Sequence, residues 1–213
     1  MNEIFDGVFR DGRNLYTKNL VPGKRVYGEK IVGDKREWDP TRSKLGAAIA
    51  NGLKELPIKP SCKVLYLGAS TGTTISHVSD IVGKDGFVYG IEFAERVLRN
   101  LLDLARERKN IAAIKADARK PAEYSWVEEC DVLFADIADP QETEIAIRNA
   151  GEFLKNGGCM MISIKSQSID VTKPPQQIYE EEKAKIEKAG FSVVQLINLE
   201  PYEQKHAMII ARK

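Results

Sequence analysis

Four polar residues in this 213-residue chain stand where chemistry is to be expected. Glu92, Asp117, Asp136 and Lys165 each follow directly on a short apolar run: F-V-Y-G-I, I-A-A-I-K-A, D-V-L-F-A and C-M-M-I-S-I. An acid at a strand tip accepts hydrogen bonds from ribose hydroxyls, and a second acid at the next tip suits the amino group of an adenine lying across a sheet. A carboxylate and an ammonium at two further tips would flank whatever reacts beside that nucleoside.

Upstream of all four lies V-L-Y-L-G-A-S-T-G-T-T at 64–74. It reads as strand, tight turn and helix, with Gly68 and Gly72 letting the backbone bend sharply and approach a ligand closely. The spacing is not the G-x-G-x-x-G of dinucleotide sites, which counts against NAD and FAD. S-adenosylmethionine has no pyrophosphate and needs polar side chains more than a phosphate cradle. Turn, Glu92 and Asp117 together therefore favour S-adenosylmethionine.

The elements that must position these residues follow a regular alternation. Strands are predicted at 63–67, 87–92, 111–116, 131–135 and 159–164, with helices at 71–82, 94–107, 140–155 and 174–188 between and after them. Gly157-Gly158 is read as the stop of the third helix. Two closely spaced apolar segments, 191–199 and 207–211, predict an edge hairpin. The fold expected is α/β and Rossmann-like: a seven-stranded, mostly parallel sheet with a terminal antiparallel hairpin, as in S-adenosylmethionine methyltransferases. A NAD-dependent oxidoreductase is the rival reading, and it usually lacks that hairpin. Before this domain, residues 1–36 alternate apolar and polar stretches around Asp11-Gly12, Pro22-Gly23 and Gly33-Asp34, predicting a small antiparallel sheet. Residues 37–40 are read as a loop, and Ser43 as the cap of a helix running to about Leu53. Pro57 and Pro60 divide the chain into a β-rich segment with its linking helix, 1–56, and a methyltransferase domain, 57–213.

Net charge is +1, so no overall field points to nucleic acid, but the distribution is uneven. Residues 1–60 hold twelve Lys/Arg against eight Asp/Glu, a basic region beside a slightly acidic body. Three separated cysteines and two histidines make no metal-ligand spacing, so no metal is expected. Neither a signal peptide nor a transmembrane run is visible, which suggests a reducing, cytoplasmic setting.

Longer stretches carry a name. G-F-V-Y-G-I-E-F-A-E-R-V-L-R at 86–99, E-W-D-P-T-R-S-K-L at 37–45, G-T-T-I-S-H-V-S-D-I-V-G at 72–83 and K-A-D-A-R-K-P at 115–121 closely resemble the fibrillarin family, in its shorter archaeal form without a Gly/Arg-rich tail. The resemblance covers nearly the whole chain. It implies S-adenosylmethionine-dependent 2′-O-methylation of ribose in rRNA or tRNA, within a box C/D ribonucleoprotein. The implied partners are a guide RNA, a Nop-domain scaffold protein and a kink-turn-binding protein related to ribosomal proteins. Two departures are visible: Gly68-Ala69-Ser70-Thr71-Gly72 stands where the family often has G-A-A-S-G, and Asp139 where it often has Gln.

The resemblance also implies a catalytic set of Lys44, Asp136, Lys165 and His206. Taken singly, Lys44 reads as a solvated helix lysine and His206 as a packing or surface histidine; the joint pattern singles them out. Lys165 would assist the weakly acidic 2′-hydroxyl electrostatically, with Asp136 positioning Lys165 and lying near the methyl group. Lys44 would add charge near the target ribose or phosphate, and His206 would orient a lysine or the substrate. Cofactor contacts carried over are Gly68, Ala69, Gly72, Thr73, Thr74, Glu92, Phe93, Asp117, Ala118, Asp136, Ile137, Ala138 and Asp139, the last near the methionine side or solvent. RNA phosphates would meet Lys18, Lys24, Arg25, Arg42 and Lys44, without reading sequence. His77 and Trp38 are expected to pack structurally. The competing functions are a methyltransferase acting on a protein or a small molecule, and a non-catalytic assembly subunit.

Overall fold

The computed structural model describes residues 1–213. It opens with five short antiparallel strands: β1 (Asn2–Phe5), β2 (Val8–Asp11), β3 (Asn14–Lys18), β4 (Ile31–Val32) and β5 (Lys35–Trp38), in the order β1-β2-β3-β5-β4. The hairpin expected at Asp11-Gly12 forms, with Asp11 opposite Asn14. A second turn, at Asp6-Gly7, joins β1 to β2 as a further hairpin. Glu37 and Trp38 are not loop: they pair with Tyr16 and Leu15. Alternation carries through Arg36 and Trp38, both fully buried, and the burial of that indole extends the strand up to the turn opened by Pro40.

Helix α1 (Lys44–Ala50) begins where Ser43 Oγ accepts the N–H of Gly46 at 3.2 Å. It ends earlier than expected. The main domain then runs β6 (Lys63–Leu67), α2 (Thr73–Val82), β7 (Phe87–Glu92), α3 (Glu95–Glu107), β8 (Ile111–Lys115), β9 (Cys130–Ala135), α4 (Glu142–Phe153), β10 (Leu154–Lys165), a single turn α5 (Ser166–Ile169), α6 (Pro175–Lys188), β11 (Ser192–Asn198) and β12 (His206–Arg212). Sheet order is β11-β12-β10-β9-β6-β7-β8, parallel from β10 to β8, with β12 antiparallel to both β10 and β11. The fold class expected is the one found.

One boundary moves. Gly157-Gly158 does not end α4, which stops at Phe153. The two glycines lie in an irregular stretch of β10, between the pairs Leu154–Cys130 and Cys159–Val132. Hydrogen bonds from Gly157 N–H to the Lys213 carbonyl and from Lys213 N–H to the Gly158 carbonyl tie that stretch to the chain end.

Strands buried on both faces must be apolar throughout, and β6 shows the division. Val64 and Tyr66 face a core shared with β2, β3, β5 and helices α1 to α3; Leu65 and Leu67 face a second core under α4 and α6. The N-terminal sheet therefore packs into the same core as the parallel sheet. A buried polar joint completes the contact. Asp80 on α2 accepts from Thr17 Oγ1 (2.7 Å), Leu20 N (2.9 Å), Arg36 Nε (2.7 Å) and Arg108 Nη1 (2.6 Å), while Glu29 pairs with Arg36. His77 stacks on Trp38 with ring centres 4.6 Å apart and hydrogen-bonds Thr17 and Tyr27, so both residues are structural, as expected. Burial, with Arg36 and Arg108 nearby, pushes the His77 imidazole well below its ordinary range and keeps it neutral.

Candidate active site

In this topology the sheet order reverses between β6 and β9, and a crevice opens beyond the carboxyl ends of these strands. It has two lobes, of about 430 and 360 Å³, which share Gly68, Ile137 and Ala138 as a common wall.

The loop from β6 to α2 makes the close approach. Gly68 has φ +80°, and a Cβ there would lie 2.3 Å from the Asp136 carbonyl oxygen. Gly72 has φ +103°, and its Cβ would lie 2.6 Å from Leu104 Cδ2. Only glycine fits either place. Glu92 braces the loop: its carboxylate accepts Ser70 N–H and Ala94 N–H, both at 2.7 Å.

The second lobe is lined by Glu92, Phe93, Asp117, Ala118 and Asp139. Phe93 is 66% exposed, a flat apolar surface at the rim. Asp117 is gripped by Arg119, whose Nε reaches both carboxylate oxygens at 2.9 and 3.1 Å and whose Nη2 lies at 2.8 Å; these bonds hold its carboxyl below the ordinary range. Asp139 stands on this wall rather than beside Asp136, with Oδ1 accepting Gln141 N–H at 2.8 Å.

The first lobe brings together Lys44, Asp136, Lys165 and His206, along with Ala69, Thr73, Thr74 and Arg42. Lys165 ends β10, directly opposite His206 at the start of β12. Lys44 arrives from α1, whose capping Ser43 accepts a hydrogen bond from Thr74 Oγ1 at 3.0 Å. Lys44 is not a solvated helix lysine. Its Nζ lies 2.9 and 3.1 Å from the two oxygens of Asp136, and both side chains are about one-fifth exposed. Burial opposes the charge on Lys44, but attraction to Asp136 and the hydrogen bond outweigh it and raise its pKa. The carboxylate thus pairs with Lys44, not with Lys165, because α1 is tied across the mouth of the crevice.

His206 is nearly buried, and its Nδ1 lies 2.7 Å from the Gln204 carbonyl. Burial lowers its pKa, and Lys44 adds to the effect. The neutral ring therefore donates from Nδ1, which leaves Nε2 as an acceptor.

The basic residues divide. Arg42 and Lys44 line the crevice; Arg42 also lies over the Tyr27 ring, 4.9 Å from its centre. Lys24 pairs with Glu107 at the far end of α3, and Lys18 and Arg25 are exposed on the N-terminal segment. Glu142, fully buried at the start of α4, touches the backbone of Lys165 and escaped the sequence reading. An acid in a first helical turn reads as a dipole partner, and only packing reveals its burial.

A parallel sheet closed by an antiparallel hairpin, with a glycine turn and acids on successive strand tips, defines the S-adenosylmethionine-dependent methyltransferase class. Within that class, the chain belongs to the fibrillarin family, whose model matches residues 1–213. It is 55% identical over 215 residues to a fibrillarin-like rRNA/tRNA 2′-O-methyltransferase of Sulfurisphaera tokodaii, covering 98% of this chain and 92% of that one. It superposes on Aeropyrum pernix fibrillarin in complex with natively bound S-adenosyl-L-methionine with a TM-score of 0.86 at 48% identity, covering 93% of this chain and 88% of that one. It also matches a chain of a fibrillarin/Nop5p complex with a TM-score of 0.90 at 39% identity, over 99% of both. No helix is long and apolar enough to cross a membrane.

Proposed function

We propose that this chain methylates ribose 2′-hydroxyls of rRNA or tRNA with S-adenosylmethionine, as the catalytic subunit of a cytoplasmic, guide-RNA-directed box C/D ribonucleoprotein. The observation that carries the reading is the gathering of Lys44, Asp136, Lys165 and His206 in one lobe, wall to wall with a lobe suited to a nucleoside. The relatives named for this activity, for bound S-adenosyl-L-methionine and for Nop5p support it.

The crevice suits the cofactor. Gly68 lets the loop pack directly on the Asp136 backbone between the two lobes, Glu92 and Asp117 offer carboxylates to a ribose and an adenine, and Phe93 and Ala118 flank the same lobe. Ala69, Gly72, Thr73 and Thr74 would border the methionine part, with Ile137 and Ala138 between the lobes. When bound, S-adenosylmethionine supplies an electrophilic methyl group on a good leaving group. The chain's own residues address the hydroxyl. Lys165, whose backbone N–H is held by Glu142 while its side chain makes no hydrogen bond or ion pair, has its ammonium available to stabilise the developing alkoxide. Asp136 holds Lys44 across the lobe and sets a negative charge beside the reacting centre. His206 Nε2 is free to take the hydroxyl proton, directly or through water. Residues 1–56 act as the unit that carries Arg42 and Lys44 over the mouth of the domain formed by 57–213. Lys18 and Arg25, exposed on the N-terminal segment, would add contacts to RNA phosphates while Lys24 is offset by Glu107, so binding weakens with salt.

The test is reconstitution with guide RNA, Nop-domain scaffold and kink-turn-binding protein, reading methyl transfer at the guide-paired ribose. Transfer only in the complete assembly is expected. Transfer to a protein or small molecule without guide RNA would favour the rival enzyme, and none at all the assembly subunit. Asp117→Ala should weaken S-adenosylmethionine binding about tenfold or more in calorimetry, the loss of hydrogen bonds to a charged group. An unchanged affinity would reduce Asp117 to a brace for Arg119.

A further inference from the structure

Behind Lys165 sits a carboxyl group that the chemistry above does not use. Glu142 opens α4 with no exposed surface. Its Oε1 accepts the Lys165 backbone N–H at 2.9 Å, and its Oε2 is buried without a hydrogen-bond partner. Glu182 on α6 is also buried; it pairs with Lys185 through Oε1 at 2.9 Å and leaves its own Oε2 unpartnered. The charged groups facing Glu142 are Asp136 at the tip of β9, Glu182 on α6 and Lys44 on α1. Lys44 is already committed to Asp136. An anion at Glu142 would thus stand in a dry site with one hydrogen bond, two like charges and one shared cation, an arrangement that strongly favours the neutral acid. Burial pushes its carboxyl up to about 9, Asp136 and Glu182 push the same way, and the Lys165 N–H opposes them.

We propose that Glu142 is held as a neutral carboxylic acid at the root of Lys165 and is a positioning residue. It anchors the end of β10 through the Lys165 N–H without placing a second negative charge beside Asp136. An anion there would compete with the target hydroxyl for the charge on Lys165 and Lys44. The kinetic half of this inference rests on the methyl-transfer reading; the protonation half does not.

The test compares wild type, Glu142→Gln and Glu142→Ala. Glutamine keeps an acceptor for the Lys165 N–H and cannot ionise. An unfolded glutamate titrates near 4.3 and the folded one near 9, so the native chain keeps a proton that the unfolded chain loses. Stability from this group is complete below about pH 4 and is lost progressively up to about pH 9, and only in wild type. The melting temperature of Glu142→Gln should therefore gain several degrees on wild type between about pH 5 and about pH 9. A gap that stays flat over this range would show an ionised Glu142 and overturn the proposal. In the reconstituted assembly, Glu142→Ala should lower kcat about tenfold or more with little change in KM, and Glu142→Gln should restore it. Equal loss in both variants would also overturn it. If wild type transfers no methyl group, the functional reading fails, while the melting series still decides the protonation state.

Discussion

Lys165→Ala is expected to lower kcat for guide-directed methyl transfer about 10²–10³-fold, the usual cost of removing one charge donor aimed at a developing oxyanion. The affinity for S-adenosylmethionine should be unchanged. Two lysines share the lobe, but they are not equivalent. Lys44 has its charge engaged by both oxygens of Asp136, whereas Lys165 stands at the end of β10 with only its backbone N–H engaged. Its place is set by register, since Lys165 pairs directly with His206 across β10 and β12. Opposed residues on one face of an antiparallel pair lie close together, which brings the Lys165 and His206 side chains to the same lobe of the crevice. The Lys165 side chain makes no ion pair within the fold, and its removal should leave thermal stability nearly intact. Single-turnover rates and calorimetric binding measured on the same preparation separate the two effects. A rate within a few-fold of wild type would remove Lys165 from the mechanism and leave the developing alkoxide without the charge assigned to it.

The second large effect concerns the fold. Asp80→Ala should destabilise the protein by about 3–5 kcal/mol, the range for breaking a buried ion pair from one side. For a chain of this length that corresponds to a fall in melting temperature of roughly 6–20 °C. Asp80 receives four donors from three separate parts of the chain, namely Thr17, Leu20, Arg36 and Arg108. Arg36 would retain Glu29. Arg108, whose pKa burial lowers while Asp80 opposes the fall, would keep no acid in contact. Asp80→Asn, which preserves shape and removes charge, should lose nearly as much. Urea unfolding measures both, and a loss below about 1 kcal/mol in either would mean that the Asp80 hydrogen bonds and ion pairs are not what joins the N-terminal sheet to α2.

The chain's own pattern determined a great deal. Apolar runs ending in Glu92, Asp117, Asp136 and Lys165 disclosed the strand tips, because side chains at the ends of parallel strands share one edge of the sheet. The glycine turn was equally legible, since Gly68 and Gly72 answer local backbone needs that few other residues meet. Boundaries set by partners were not. Trp38 joined β5 because an indole found a pocket against His77, and Gly157-Gly158 entered β10 because the chain end paired with them.

Tertiary structure alone decided the electrostatics. Lys44 and Asp136 are 92 positions apart, and Asp80 meets Thr17 across 63. The basic residues expected to meet RNA phosphates divide, with Arg42 and Lys44 at the crevice and Lys24 against Glu107. Glu142 became a neutral acid only when α4, α6 and the tip of β9 closed around it. Strand order and turns follow from local periodicity, which a sequence carries in each short window. The partner of a charge depends on which distant surfaces meet, and its protonation on how much water they exclude.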